Sequence, residues 1–302
     1  MKKGDSFSFD EIANVEKIDI GTPSFIKASD GINLAYYATR VVTPVASLAF
    51  LHGGGAYSGA GYQNLAKGLG AKYNISVYLL DIRGHGNSDG PRGDSPTVDQ
   101  VWKDVQLFCD FVQADAPQLP LYLGGHSSGG GLVLNYLSWK KNPDIAGYVF
   151  VSPEFGYKSG TARQGNATPF ARVDIEVFMK YGASLGAQYG NTQAVFFNYP
   201  EEVLEAQPLL IKSITCNMAM ALTPDNPQEQ FKKIDKPFAL FVGENDELFD
   251  VDKVLQYGEL ADKEIRQKSI VRAIKGANHL SILLAADEFI GNAIMAMRGS
   301  SS

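Results

Sequence analysis

Six short runs of apolar, β-branched or aromatic residues alternate with helix-length amphipathic stretches, and this alternation limits the fold more tightly than any other feature of the chain. The runs are 46–51, 75–80, 121–125, 148–152, 238–242 and 269–274. Between and after them, helical patterning covers 62–72, 98–112, 127–139, 251–260 and 281–297. Near-continuous apolar strands separated by helices are what a mostly parallel sheet covered on both faces requires. The class is therefore α/β. Residues 25–39 read as a hairpin turning at Asp30-Gly31 ahead of the first of these strands.

The spacing breaks once. About eighty residues separate the run ending at Ser152 from the one opening at Phe238, far beyond an ordinary connection. An insert belongs there, rich in Phe170, Phe178, Tyr189, Phe196, Phe197 and Tyr199, with helix-like runs after Pro169 and Pro208. The expected division is a core of residues 1–153 and 235–302 carrying a helical cap at 154–234. Most of the cap's aromatics pack it onto the sheet, and a few face a pocket. Its leucines, methionines and aromatics outnumber charges, so an apolar acyl or aromatic substrate is expected.

Charge and cysteine usage exclude several functions. Lys plus Arg number 27 against 33 for Asp plus Glu, a net charge of −6, and no basic run could track a phosphate backbone, so nucleic acid is not an expected partner. Cys109 and Cys216 are far apart, and no Cys/His cluster calls for a metal. Two unrelated thiols, an N-terminus lacking an apolar leader segment and no apolar run of membrane-spanning length place the protein, as an expectation, in the cytoplasm without an integral membrane segment.

The chemistry is written at strand ends. Gly125-His126-Ser127-Ser128-Gly129 joins an apolar strand to a helix, so Ser127 occupies a sharp corner whose flanking glycines let helix and neighbouring strand approach closely. Ser127 suits the nucleophile better than Ser128, because the latter choice would place bulky His126 at a position that must be small. A serine needs an imidazole to take its proton, and sites of this type run Ser, acid, His along the chain. Of the four histidines only His279 follows Ser127. His52 and His126 lie inside glycine motifs, where backbone position matters more than the ring, and His85 lies in another loop motif.

For the acid, Asp246 follows the strand 238–242 and can hold the tautomer of His279. Glu154, just past the strand ending at Ser152, is its rival, while Asp250 reads as the cap of the helix at Val251. His52-Gly53-Gly54-Gly55 follows the strand 46–51 with a backbone free to turn amides inward. Gly54, with Gly53 next, and the amide of Ser128 at the helix N-terminus are the expected oxyanion donors, each worth about 3 to 4 kcal/mol in the transition state. Tyr57, Phe196, Phe197 and Leu280 are the expected substrate contacts.

Taken together, His52-Gly53-Gly54-Gly55, Asp81-Ile82-Arg83-Gly84-His85-Gly86-Asn87-Ser88, Gly125 to Gly130, Gly243-Glu244-Asn245-Asp246 and Gly276-Ala277-Asn278-His279 resemble the α/β-hydrolase family, within it the monoacylglycerol lipase and lysophospholipase-like serine hydrolases. The likeness runs from about Asp30 to Ala296. It implies the α/β-hydrolase fold, Ser127 as nucleophile, Asp246 as acid, His279 as base and the amides of Gly54 and Ser128 as oxyanion donors. Relatives acting on monoacylglycerols commonly follow the first glycine motif with Glu-His and an Arg; here stand Ala56-Tyr57-Ser58-Gly59-Ala60-Gly61-Tyr62, without those polar groups. Ile282 stands where some relatives carry a second histidine, and Ser128 where Met or Gln is common. A triple-glycine loop is more typical of carboxylesterases accepting bulky groups.

The expected function is ester hydrolysis through an acyl-enzyme, without a cofactor, on a small-molecule ester. The same machinery could serve a lactone, a thioester, a carbon-carbon bond or a slow-turnover ligand sensor.

Overall fold

The computed structural model describes residues 7–9, 18–140, 144–163 and 169–299. Among these, eight strands form one sheet in the order β1-β2-β4-β3-β5-β6-β10-β11. The strands are β1 (Ser24–Lys27), β2 (Asn33–Thr39), β3 (Ala46–Leu51), β4 (Ile75–Leu80), β5 (Leu121–His126), β6 (Gly147–Val151), β10 (Phe238–Gly243) and β11 (Ile270–Ile274). From β4 to β11 all neighbours are parallel, and β1 and β2 add an antiparallel edge.

Five of the six apolar runs form central strands because both of their faces find cover, whereas the run at 269–274 becomes β11, the partly exposed edge of the sheet, with Arg272 in its middle. On β10, Leu240 and Val242 join one core cluster while Ala239 and Phe241 join the other, the two-residue alternation of a pleated strand. Helices Val98–Asp115 and Ser128–Trp139 fill the first cluster with Val101, Val105, Phe108 and Leu132. Helices Tyr62–Tyr73 and Ala286–Gly299 fill the second with Leu65, Leu69, Phe289 and Ile294. Each such side chain fully buried contributes about 1.5 to 3 kcal/mol relative to exposure. The helical stretches expected near Val251 and Ser281 each combine an α-helix with a 3₁₀ turn, at Tyr257–Leu260 and Ser281–Ala285 respectively. Asp250 caps the first of them, its carboxylate accepting from the Lys253 amide at 3.2 Å.

Between β6 and β10 lies the long insert. It holds helices Ile175–Ala183, Glu201–Ala206, Cys216–Leu222 and Pro227–Phe231, and also a three-stranded antiparallel sheet of β7 (Ala171–Val173), β8 (Gln193–Phe197) and β9 (Ser213–Thr215). These strands, of three, five and three residues, are too short to show a period in sequence. Helix Cys216–Leu222 is bolted to the sheet-covering helices: Ala221 O accepts from Trp102 Nε1 at 3.0 Å and from Asn135 Nδ2 at 2.8 Å. Among the described residues no helix is long and apolar enough to cross a membrane.

Candidate active site

Ser127, Asp246, His279 and the His52–Gly55 loop all follow the C-terminal ends of parallel strands, respectively β5, β10, β11 and β3. Because β3 and β5 are neighbours, and β10 lies beside β11, four distant segments converge at one sheet edge, where sheets of this kind assemble their sites.

Ser127 sits at φ 54° and ψ −122°, a conformation that costs a non-glycine residue about 1 to 3 kcal/mol unless its surroundings impose it. They do. Its amide donates to Val151 O at 3.0 Å, and its carbonyl accepts from Gly130 N and Glu154 N at 2.9 Å each. The turn is so tight that a Cβ on Gly125 would come within 2.3 Å of Gly129 C, and one on Gly129 within 2.4 Å of Leu51 O. Only glycine fits at either position.

His279 is held at four points. Its Nδ1 lies 2.9 Å from Asp246 Oδ2 and its Nε2 3.0 Å from Ser127 Oγ. Its amide donates to Glu247 Oε2 at 2.9 Å, and its carbonyl accepts from His126 Nε2 at 2.9 Å. Asp246 Oδ1 is occupied by the amides of Leu248 and Phe249 at 2.9 and 3.0 Å, so the carboxylate is fixed with Oδ2 toward the ring. Nδ1–H therefore donates to Asp246, and the Nε2 lone pair faces the serine hydroxyl, able to take its proton. Burial works against charge on both groups. The Asp246 carboxylate, assisted by Glu247 and Glu154, nevertheless holds His279 above the ordinary imidazole pKa. In the same way the His279 charge and hydrogen bond, with Ser152 and the Leu248 amide, hold Asp246 below the usual carboxylate range.

Glu154, the rival carboxylate, turns elsewhere: it accepts from the Gly156 amide at 2.6 Å, and burial pushes its carboxyl up. Asp246, not Glu154, is the carboxylate on His279 Nδ1.

The glycine loop lies against this corner. A Cβ on Gly53 would stand 3.2 Å from Ser127 Cβ, and one on Gly54 2.9 Å from Ser128 Oγ. The Gly53 amide, however, is committed to Tyr62 Oη at 2.8 Å. Gly54, which stands against Ser128 at the start of the helix, stays partly accessible.

The rings of His52 and His126, expected to be incidental, have structural tasks. His52 Nδ1 donates to Gly53 O at 2.8 Å and its Nε2 accepts from Ile82 N at 3.0 Å. For His126, Nε2 must carry hydrogen because the His279 carbonyl can only accept, so Nδ1 accepts from Tyr62 Oη at 2.9 Å. Burial, and then the nearby His279, push the His126 pKa down to about 3, which keeps the ring neutral. A relay of buried bonds thus runs from Gly53 N–H through Tyr62 and His126 to the main chain of His279. Sequence reasoning missed it because each motif's partner lies in another motif.

The expected substrate contacts separate. Phe197 packs over the glycine loop, its Cζ 3.1 Å from where a Gly54 Cβ would be. Phe196, one residue earlier on β8, faces the other way and lies under the Arg172 guanidinium at 4.2 Å. Tyr57 covers Gly59, its Cε2 2.6 Å from the position of a Cβ there. Leu280 follows the histidine, its amide donating to Asn278 Oδ1 at 3.1 Å. Phe170 and Tyr199 were legible only as insert aromatics; Phe170 stacks on Phe197 at 5.5 Å and Tyr199 Oη donates to Gly54 O at 3.2 Å.

Comparison with known proteins agrees with this architecture. The sequence pattern of the Hydrolase_4 family, described as serine aminopeptidase S33, matches residues 43–281. Human monoglyceride lipase is 26% identical over 263 residues, covering 85% of this chain and 83% of that one. An uncharacterized abhydrolase domain-containing protein of Dictyostelium discoideum is 39% identical over 115 residues, 38% of this chain but only 12% of its own length. Among solved structures, a soluble variant of monoglyceride lipase from Saccharomyces cerevisiae, bound to a substrate analog, aligns with a TM-score of 0.73 at 16% identity over 94% of this chain and 97% of that one. Est1E from Butyrivibrio proteoclasticus, bound to ferulic acid, aligns at 0.62 and 17% identity over 90% and 99%. At these identities the structural likeness speaks for the fold alone.

Proposed function

Because the chain belongs to the Hydrolase_4 family (serine aminopeptidase, S33) of α/β-hydrolases, we propose that it is a lipase-like serine hydrolase that cleaves carboxylic esters with Ser127 as nucleophile, His279 as base and Asp246 as the orienting acid. One observation carries the reading: a strained serine at φ 54° whose hydroxyl lies 3.0 Å from an imidazole that a buried carboxylate holds from behind at 2.9 Å.

In the acylation step Ser127 Oγ attacks the ester carbonyl while His279 Nε2 takes its proton. The carbonyl oxygen becomes an oxyanion between the amides of Gly54 and Ser128, aided by the N-terminus of the helix that Ser128 opens. Collapse expels the alcohol, which receives its proton from His279. Water then repeats the sequence on the acyl-enzyme, releasing the acid and restoring the serine. Asp246 keeps its negative charge throughout and stabilises the transient imidazolium.

The segment 154–234 acts as a cap over this edge of the sheet, touching the glycine loop through Phe197, Tyr199 and the Ile211 amide. Its aromatic lining favours an apolar acyl or aromatic ester. Human monoglyceride lipase is similar over most of both chains, which supports trying lipid-like monoesters first. Lactones, thioesters and carbon-carbon bonds are accessible to the same groups, and a substrate panel separates them from esters. Two buried free thiols, Cys109 and Cys216, suit a reducing compartment such as the cytoplasm.

Replacing Ser127 by Ala tests the proposal. Hydrolysis of p-nitrophenyl esters should fall by several orders of magnitude and fluorophosphonate labelling should vanish. Ester turnover that survives the change intact refutes it.

A further inference from the structure

A further segment reaches the site from the far end of the chain. The Ser8 amide donates to Glu247 Oε1 at 3.1 Å, and the other oxygen of that carboxylate accepts from the His279 amide at 2.9 Å. Glu247, only 3% exposed, thus fastens residues 7–9 to the backbone of the catalytic histidine. On either side of this anchor the phenylalanines turn toward the site. Phe7 lies 5.9 Å from the His279 ring and stacks on Phe170 at 4.4 Å with 26° between the planes. Phe9 packs against Phe170 at 6.1 Å and Tyr199 at 5.6 Å.

These contacts complete a series. Phe170 stacks in turn on Phe197 at 5.5 Å and 24°, and Phe197 covers the oxyanion glycines. Three nearly parallel rings, Phe7, Phe170 and Phe197, therefore run from the base to the oxyanion loop, spanning the ground between which a bound carbonyl must sit. Ser127, Ser128 and Gly54 stay partly accessible beside them.

We infer that residues 7–9 form a wall of the substrate pocket, and that Phe7 and Phe9 set a preference for esters whose acyl group is a flat aromatic ring. The inference rests on the proposed ester hydrolysis and deepens it. Its physical basis is the ring quadrupole. Aromatic surfaces add an attraction for another ring, by offset or edge contact, beyond what the same area gains from an alkyl chain. Phe7 also keeps water from one side of His279, as a site forming a tetrahedral anion requires.

The test uses full-length protein and two alkyl esters of similar size, methyl phenylacetate and methyl hexanoate, followed by pH-stat. Their common alcohol leaves only the acyl group to discriminate. Rates are normalised to the serine titrated by fluorophosphonate, and thermal melts check that each variant folds. Phe7→Ala should lower the ratio of kcat/KM for the aromatic over the aliphatic ester by about 3- to 10-fold, mainly through KM. Phe7→Tyr should retain the ratio. Ser8→Pro, which keeps both rings but removes the N–H that Glu247 accepts, should lower it as Phe7→Ala does. A ratio unchanged within twofold in Phe7→Ala and Ser8→Pro overturns the wall. So does an equal rise on both esters, which would mark the segment as a plug. A wild-type enzyme inert to all esters and unlabelled by the probe defeats the hydrolase reading itself, a result distinct from an active enzyme that ignores Phe7.

Discussion

Tyr62→Phe removes a single oxygen from the centre of the relay between the glycine loop and the histidine loop. In the wild type that oxygen accepts from Gly53 N–H at 2.8 Å and donates to His126 Nδ1 at 2.9 Å, with Tyr62 2% and His126 1% exposed. Phenylalanine keeps the shape and leaves both groups without a partner. A buried donor or acceptor stripped of its bond costs about 1 to 3 kcal/mol, so the pair together costs about 2 to 6. The ring has no inexpensive escape. Moving its proton to Nδ1 forfeits the 2.9 Å bond from Nε2 to the His279 carbonyl. A loss near 3 kcal/mol corresponds to a melting temperature about 5 °C lower for a domain of this size. Calorimetry gives that shift, and urea unfolding with an unchanged m-value assigns it to stability. Activity follows, since the two ends of the relay carry the proposed oxyanion loop and the proposed base, and small misplacements of reacting groups reduce rates up to about 100-fold. A kcat loss of about 10-fold or more is expected. The cost of His126→Ala should be smaller in the Tyr62→Phe background than in the wild type, because the two act as one unit. A Tyr62→Phe protein that melts within 1 °C of the wild type and keeps kcat within about twofold would refute the relay.

Three further outcomes concern the charge on His279. As base it works only when neutral, and its pKa is raised, so kcat/KM should climb with pH to a plateau through a midpoint above the ordinary imidazole value of about 6.5. Asp246→Asn removes the largest favourable cause of that rise, so the acid limb should move to lower pH while kcat drops by about 10⁴-fold; a limb that stays in place excludes His279 as the titrating base. Glu247→Gln removes a second negative charge and leaves one acceptor oxygen for the two amides of Ser8 and His279. Its pH profile should shift the same way by less, with a lower kcat, and an unmoved midpoint would show that Glu247 serves only as a structural clip.

Much of this could be read before any coordinate, and the reason is locality. β3 and β4 cover the apolar runs Ala46–Leu51 and Ile75–Leu80 because every residue in them is buried and His52, Asn74 and Asp81 border them. The positions of Ser127, Asp246 and His279 were equally legible, each lying a few residues beyond its own strand. What escaped is non-local. Tyr62 meets His126 across 64 residues, His126 meets His279 across 153, and Ser8 meets Glu247 across 239. Phe196 and Phe197 look alike in sequence, and only the pairing of β8 with Arg172 of β7 decides which faces the site, since one step along a strand reverses the side chain.

The residues that hold the glycine loop share a physical cause. The turn at Gly53-Gly54-Gly55 can aim an amide at an oxyanion only because it lacks side chains, and a turn without side chains has nothing of its own to hold it. Rigidity has to come from outside. Tyr62 takes the Gly53 amide, His52 the Gly53 carbonyl, Tyr199 the Gly54 carbonyl, and Phe197 fills the space that side chains on Gly54 and Gly55 would have occupied. Gly54→Ala sharpens the point. A Cβ there would press to 2.9 Å on Ser128 Oγ and 3.1 Å on Phe197, so the substitution must displace either Ser128, the second proposed oxyanion donor, or the Phe197 ring. The expected result is a loss of kcat approaching the 10²- to 10³-fold that removal of an oxyanion donor costs, with the fold retained, because the contacts that yield belong to the site and not to the sheet.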